Sequence, residues 1–207
     1  MTSASHPYTA PGPTPSLSAH VIAFAWGLAE STVFFIVPDV LLTRLALSDF
    51  RRALVAGLWA VAGALLGGTA LWFAARHDAT QFFLNAFDWL PGISRGLIVR
   101  TAQALDTHGL TALATGALSG QPYKLYAVHA GAQDIPLTGF LLVSAVARFA
   151  RFTLTTTVAW LVGRVLRHLP EASRLRLHLY CWLIFYSCYF EPVPKRRQAR
   201  FPLVNVR

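Results

Sequence analysis

The apolar stretches of this chain differ in how far they run before a charge or a helix breaker interrupts them. Residues 53–75 are 23 uncharged residues, which as an α-helix would be about 34 Å long against a bilayer hydrocarbon core of about 30 Å. Residues 136–163 are apolar except for two arginines, and residues 177–190 are short and aromatic and could span only marginally. The pattern therefore predicts two to three full membrane spans.

The apolar stretch 19–47 is interrupted near its middle. As one straight helix it would be about 43 Å long, well beyond the hydrocarbon thickness. On that helix Glu30 and Asp39 would lie on opposite faces, and Pro38 disfavours helical backbone at the residue before it. The pattern instead favours a helix that ends near Glu30, a turn over residues 31–38 and a returning helix from Asp39. This is a re-entrant hairpin with both carboxylates near its tip.

The stretch 110–133 has the same layout, with Gly-Gln-Pro at residues 120–122 as the break and Lys124 at the tip. Each predicted hairpin is followed by a full span, and a single span between the hairpins inverts the second relative to the first. This is the inverted-repeat plan of transporters with binding sites at mid-membrane. Non-helical backbone at that depth must face protein or water, so we expect the two tips to line an internal cavity.

Composition supports an all-α, polytopic membrane protein. Of the 207 residues 55% are hydrophobic and 13% are charged, and the mean hydropathy is +0.47. The net charge of +9 collects at the ends of apolar segments, which indicates a membrane surface and not a nucleic-acid partner. The predicted organisation is a disordered tail over residues 1–18, one membrane domain over 19–190 and a basic tail over 191–207.

Five ionisable residues are predicted within the membrane, where each costs about 2.5–3.5 kcal/mol if unpaired. They are Glu30, Asp39, Lys124, Arg148 and Arg151. Two carboxylates against three cations leave one positive charge, which suits an anionic head group. A carboxylate beside a low-dielectric cavity can also take up a proton. The open alternative is that the five side chains only pair with one another and hold the hairpins together.

Several runs of residues resemble the DedA family of small membrane proteins, also described as the VTT-domain or SNARE-associated Golgi protein group, and within it the YqaA-like branch. The runs are AESTVFFIVPDVLL at 29–42, GALLG at 63–67, GQPYKLYAVHAGA at 120–132 and ARFARF at 147–152. The resemblance implies two opposed re-entrant hairpins and the movement of lipids across the bilayer, with dependence on the proton gradient in some members.

The resemblance also implies roles for the residues that match the family's motifs. These roles are proton coupling at Glu30 and Asp39 and substrate binding at Lys124, Arg148 and Arg151. The predicted function is a flippase-like or scramblase-like lipid translocator of the bacterial plasma (inner) membrane. Its substrate would be an anionic lipid that bears phosphate, either a phospholipid or a polyprenyl phosphate. No cofactor or metal is expected, and a homo-oligomer is left open.

Two functions of other classes remain as alternatives. One is a structural or membrane-homeostasis protein without transport activity. The other is a lipid-modifying membrane enzyme, suggested by the spacing of His129 and Asp134, in which the histidine would act as a base. The sequence contains no H-E-x-x-H, C-x-x-C or Walker-type motif. We therefore predict that the protein is not an enzyme.

Overall fold

The computed structural model describes residues 16–189, and within that range the regular structure is helical throughout. The predicted tails fall almost wholly on residues 1–15 and 190–207, which lie outside the described residues. The α-helices are α1 Ser16–Thr32, α2 Asp39–Ala46, α3 Phe50–Ala74, α4 Thr80–Asp88, α5 Arg95–His108, α6 Leu110–Leu118, α7 Tyr123–Ala132, α8 Leu137–Val165 and α9 Glu171–Tyr189.

Two helical stretches of the described residues are long and apolar enough to cross a membrane. They are Phe50–Asp88, which contains α3, and Leu137–His168, which contains α8. On α8, Leu142 and Val146 are 68% and 71% exposed, whereas a core helix of a soluble protein would bury such side chains. The chain is therefore a membrane protein with two candidate spans. The marginal third candidate corresponds to α9, which does not meet the same criterion.

The first predicted break separates α1 from α2. Helix α1 ends at Thr32 and α2 begins at Asp39, in agreement with the turn predicted over residues 31–38. The indole Nε1 of Trp26 donates a 2.9 Å hydrogen bond to the carbonyl of Ile36 in this loop. That bond satisfies a backbone acceptor that the helix break leaves open.

The second predicted break separates α6 from α7. Helix α6 ends at Leu118 and α7 begins at Tyr123, on either side of the Gly-Gln-Pro sequence. Gly120 has φ +79°, a left-handed conformation that glycine adopts without the steric cost of a Cβ. Glycine and proline thus end one helix and start the next.

Small residues bring α1 close to α3 and fix their relative direction. A Cβ at Gly27 would collide with the backbone of Ala60, and a Cβ at Gly67 would collide with the side chain of Ser31. Residues further along α1 therefore contact residues further along α3. The two helices are parallel, and α2 must run in the opposite direction to α1 to connect them.

The second helix pair has the opposite direction. Helix α6 is parallel to α8, because Leu110 contacts Gly139 and the carbonyl of Ala117 contacts Arg151. In the same way α7 runs parallel to α3, with Tyr123 beside Gly68 and Gly131 beside Trp72 further along. Helices α1, α3 and α7 thus point one way, while α2, α6 and α8 point the other way.

Helix α7 lies at the centre of the molecule. Every residue from Tyr123 to Gly131 is buried, and α3, α5 and α8 all pack against the helix. Leu125, Val128 and Phe140 belong to one hydrophobic core around α7, and a second core joins α2, α3 and α8. Lys124, the second residue of α7, is therefore buried away from bulk solvent.

Candidate functional site

Glu30 and Arg148 form a buried ion pair. Glu30 lies in the last turn of α1 and Arg148 near the middle of α8, and the Arg148 Nη2 donates a 2.5 Å hydrogen bond to the Glu30 Oε2. The Arg148 guanidinium also lies 4.6 Å from the ring centroid of Tyr123 and 5.4 Å from that of Phe152. Pairing and cation–π contact together compensate the desolvation of the two charges.

Asp39 and Arg151 form a second ion pair one helical turn away. Asp39 is the first residue of α2, where the helix dipole favours a carboxylate. Its Oδ2 accepts a 3.0 Å hydrogen bond from Arg151 Nη2, and its Oδ1 accepts a 2.8 Å bond from the Thr155 hydroxyl. Both ion pairs therefore join the first helix–loop–helix unit to α8.

Lys124 is the third cation of the cluster and has no carboxylate partner among the ion pairs of the described residues. Its buried Nζ donates a 2.7 Å hydrogen bond to the backbone carbonyl of Phe34, in the loop between α1 and α2. The same nitrogen lies 5.7 Å from the ring centroid of Phe87. The surplus positive charge that the residue count predicts is thus located at Lys124.

A small polar cavity lies between the two helix breaks. Its walls include Glu30, Lys124 and Arg151, together with residues of both loops. The volume is about 40 Å³, enough for two or three water molecules at roughly 10–15 Å³ each. Ligand pockets usually measure about 300–1,000 Å³, so the observed cavity is too small for a lipid head group, and the two ion pairs account for four of the five charges beside it.

All five predicted site residues therefore meet in one cluster at the two loops. Tyr123 and the carbonyl of Phe34 complete the cluster, and no residue pattern predicts either of them. Tyr123 precedes Lys124, but only the packing of α7 on α8 puts its ring under Arg148. The Phe34 carbonyl is a backbone group, and no residue pattern identifies it as the acceptor.

The residues suggested for an enzyme do not assemble. His129 is buried in α7, whereas the Asp134 side chain is 72% exposed and pairs with Arg76 at 3.0 Å. The spacing of His129 and Asp134 therefore does not create a catalytic pair. Over residues 16–189, no group of three or more His, Cys, Asp or Glu side chains is placed to hold a metal ion.

Two proteins are similar to this chain over much of its length. The chain is 26% identical to an uncharacterized protein of Haemophilus influenzae over 151 residues, covering 69% of the chain and 74% of that protein. It is 30% identical to undecaprenyl-diphosphatase 1 of Streptomyces coelicolor over 174 residues, covering 72% of the chain and 59% of that protein. No family model and no solved structure matches the chain.

The Streptomyces relative is named an undecaprenyl-diphosphatase. Its name denotes an enzyme, which conflicts with the prediction that this chain is not one. The chain spans 59% of that relative, and the His129–Asp134 pair gives no support to an enzyme. The activity of this chain is therefore a matter for proposal.

Proposed function

We propose that this chain is a lipid translocator of the DedA type in the bacterial plasma membrane. Lys124, Arg148 and Arg151 bind the phosphate of an anionic lipid, and Glu30 and Asp39 couple its movement to protons. The observation that carries the proposal is the position of Lys124. This buried cation faces a cavity between the two loops, and within residues 16–189 its hydrogen bond goes to the carbonyl of Phe34. A phosphate would supply the missing negative charge.

Ion-pair exchange gives the proposed transport step. An arginine left without its partner in a buried site costs about 3–5 kcal/mol, so each pair opens only when another anion replaces the carboxylate. When Glu30 takes up a proton, Arg148 loses its counter-ion and becomes available to a phosphate. Arg151 becomes available in the same way through Asp39. Proton uptake and phosphate binding then keep the charge of the site balanced, and the cavity expands as the pairs separate.

The helix directions support two opposed re-entrant hairpins. Helices α1 and α2 form one hairpin, and α6 and α7 form the other. The first helices of the two hairpins, α1 and α6, point in opposite directions, and so do the second helices, α2 and α7. Parallel packing of α1 on α3 has its counterpart in the packing of α6 on α8. These relationships support the proposal of an inverted repeat, in which both loops would lie at mid-membrane with the charged residues.

A leaflet-transfer assay in proteoliposomes tests the proposal. We expect purified protein to transfer a polyprenyl phosphate or an anionic phospholipid between leaflets, and to do so faster with an imposed pH gradient. A neutral lipid of the same chain length provides the control. Absence of transfer for every phosphate-bearing lipid, with protein correctly inserted, would overturn the proposal. Transfer that is equally fast in Lys124→Gln would contradict the assignment of Lys124 to the head group.

Hydrolysis of a lipid diphosphate is the second candidate, favoured by similarity to the Streptomyces undecaprenyl-diphosphatase 1. In that reaction the three cations would hold the diphosphate, and Glu30 would accept a proton from the water that attacks the terminal phosphorus. The bridging P–O bond would break to release inorganic phosphate and the lipid monophosphate. Release of phosphate from undecaprenyl diphosphate by the purified protein, lost in Glu30→Gln, would establish this candidate. Transfer without release would favour the translocator.

A further inference from the structure

An apolar groove lies between the first hairpin and α9. Trp26, Phe34 and Val40 form one wall, and Leu179 and Leu183 contribute to the other. The groove has a volume of about 380 Å³, within the range of about 300–1,000 Å³ found for ligand sites. Its lining is almost wholly apolar, so it suits a hydrocarbon chain better than a peptide, whose backbone would need hydrogen-bonding partners.

Hydrogen bonds hold α9 against the hairpin and fix the width of the groove. The Thr43 hydroxyl lies 2.9 Å from His178 Nε2 and accepts a 3.2 Å bond from Trp182 Nε1. One turn further along α9, the Tyr186 hydroxyl accepts a 3.0 Å bond from the backbone N–H of Val37. These contacts lie on one face of α9, while Leu179 and Leu183 remain half-exposed beside them.

The groove and the polar cavity share one residue. Phe34 lines both of them, and its carbonyl accepts the hydrogen bond from Lys124. A cationic site and an apolar groove therefore meet at a single loop residue. This juxtaposition matches an amphiphile that has an anionic head at one end and a hydrocarbon chain attached to it.

We infer that the groove between the first hairpin and α9 binds the hydrocarbon chain of the lipid whose phosphate enters the cavity at Lys124. The inference rests on the proposed function for its head-group site and adds the site for the chain. Phe34 separates chain from head group, and α9 supplies the outer wall. The protein then recognises its lipid by both ends, and chain length contributes to selection.

Photo-labelling in lipid nanodiscs tests the inference. The probes are dodecyl phosphate with a diazirine at the chain end and the corresponding photoreactive dodecanol. We expect both probes to label the residues of the groove. Leu183→Trp, which fills the groove, should lower this labelling about tenfold, equivalent to roughly 1.4 kcal/mol. Leu142→Trp is the matched control, because Leu142 is 68% exposed on α8 and Leu183 is 61% exposed on α9.

The outcomes for the two ends of the lipid are separable. Lys124→Gln should lower labelling by the phosphate probe and leave labelling by the alcohol unchanged. Leu179→Trp is a second variant that fills the groove. If Leu183→Trp and Leu179→Trp are labelled as strongly as Leu142→Trp, the groove binds no specific chain and the inference is wrong. That conclusion holds even if Lys124→Gln lowers labelling by the phosphate probe. If the groove variants lose labelling and Lys124→Gln has no effect, the chain site stands and the head-group assignment of the proposed function fails.

Discussion

Arg148 donates a 2.5 Å hydrogen bond to Glu30, a residue 118 positions earlier in the chain, and both side chains are buried. This contact ties the end of α1 to the middle of α8. Asp39 and Arg151 repeat the connection for the start of α2. The loop of the first hairpin is therefore held by two ion pairs, which serve stability as well as the proposed transport.

Neutralising Glu30 alone should destabilise the protein. We expect Glu30→Gln to lower the free energy of unfolding by about 3–5 kcal/mol, because it leaves Arg148 charged, buried and without a carboxylate. The double variant Glu30→Gln with Arg148→Gln should recover most of that loss, since neither charge then lacks a partner. Unfolding in detergent, followed by circular dichroism, measures both. Equal stability of Glu30→Gln and the unaltered protein would contradict the structural role of the pair.

Removal of the Lys124 charge should affect transport more than stability. The Nζ bonds to a carbonyl and to no carboxylate, so Lys124→Gln leaves no buried anion behind. We expect leaflet transfer of a lipid phosphate to fall at least about tenfold, from the loss of one charge-assisted contact of about 1.5–3 kcal/mol. Arg100→Gln, at an exposed position of α5, is the control and should transfer at the normal rate.

The hydrogen bond from the Thr155 hydroxyl to Asp39 should contribute to the stability of the fold. We expect Thr155→Val to lower the free energy of unfolding by about 1.5–3 kcal/mol, the usual contribution of a hydrogen bond to a charged group. Thr157→Val is matched to it, since Thr157 lies on the same helix at similar exposure and bonds back to the carbonyl of Thr153. The free energy of unfolding of Thr157→Val should stay within about 0.5 kcal/mol of that of the unaltered protein. Equal effects of the two substitutions would argue against the Asp39 contact.

Two glycines of α3 should respond in opposite ways to alanine. A Cβ at Gly63 would collide with the carbonyl of Phe24, so Gly63→Ala must push α1 away from α3. A Cβ at Gly57 would meet only ordinary contacts at 3.8 and 3.9 Å. We expect Gly63→Ala to lower the melting temperature in detergent, and Gly57→Ala to raise stability by up to about 1 kcal/mol through helix propensity. A stabilised Gly63→Ala would contradict the close packing of α1 on α3.

The interrupted helices could be predicted because their signals are local. Helix length follows from residue count, and a proline disrupts a helix interior because it lacks the backbone N–H and clashes with the preceding turn. The breaks before Asp39 and Tyr123 therefore agree with the structure to within a few residues. Charge counting likewise predicted one surplus cation, since the number of carboxylates and cations in apolar segments does not depend on how the helices pack.

The partners of those charges could not be predicted. Glu30 pairs with Arg148, and Asp39 pairs with Arg151. These pairings depend on which residues of α8 lie beside α1 and α2, and helical periodicity does not predict that position. The same is true of the carbonyl of Phe34, and of the groove that α9 forms with the first hairpin. The residue pattern alone was enough to predict where the helices break and how many charged residues lie within apolar segments. Tertiary structure decided which charges meet, because helix crossings bring together residues more than a hundred positions apart.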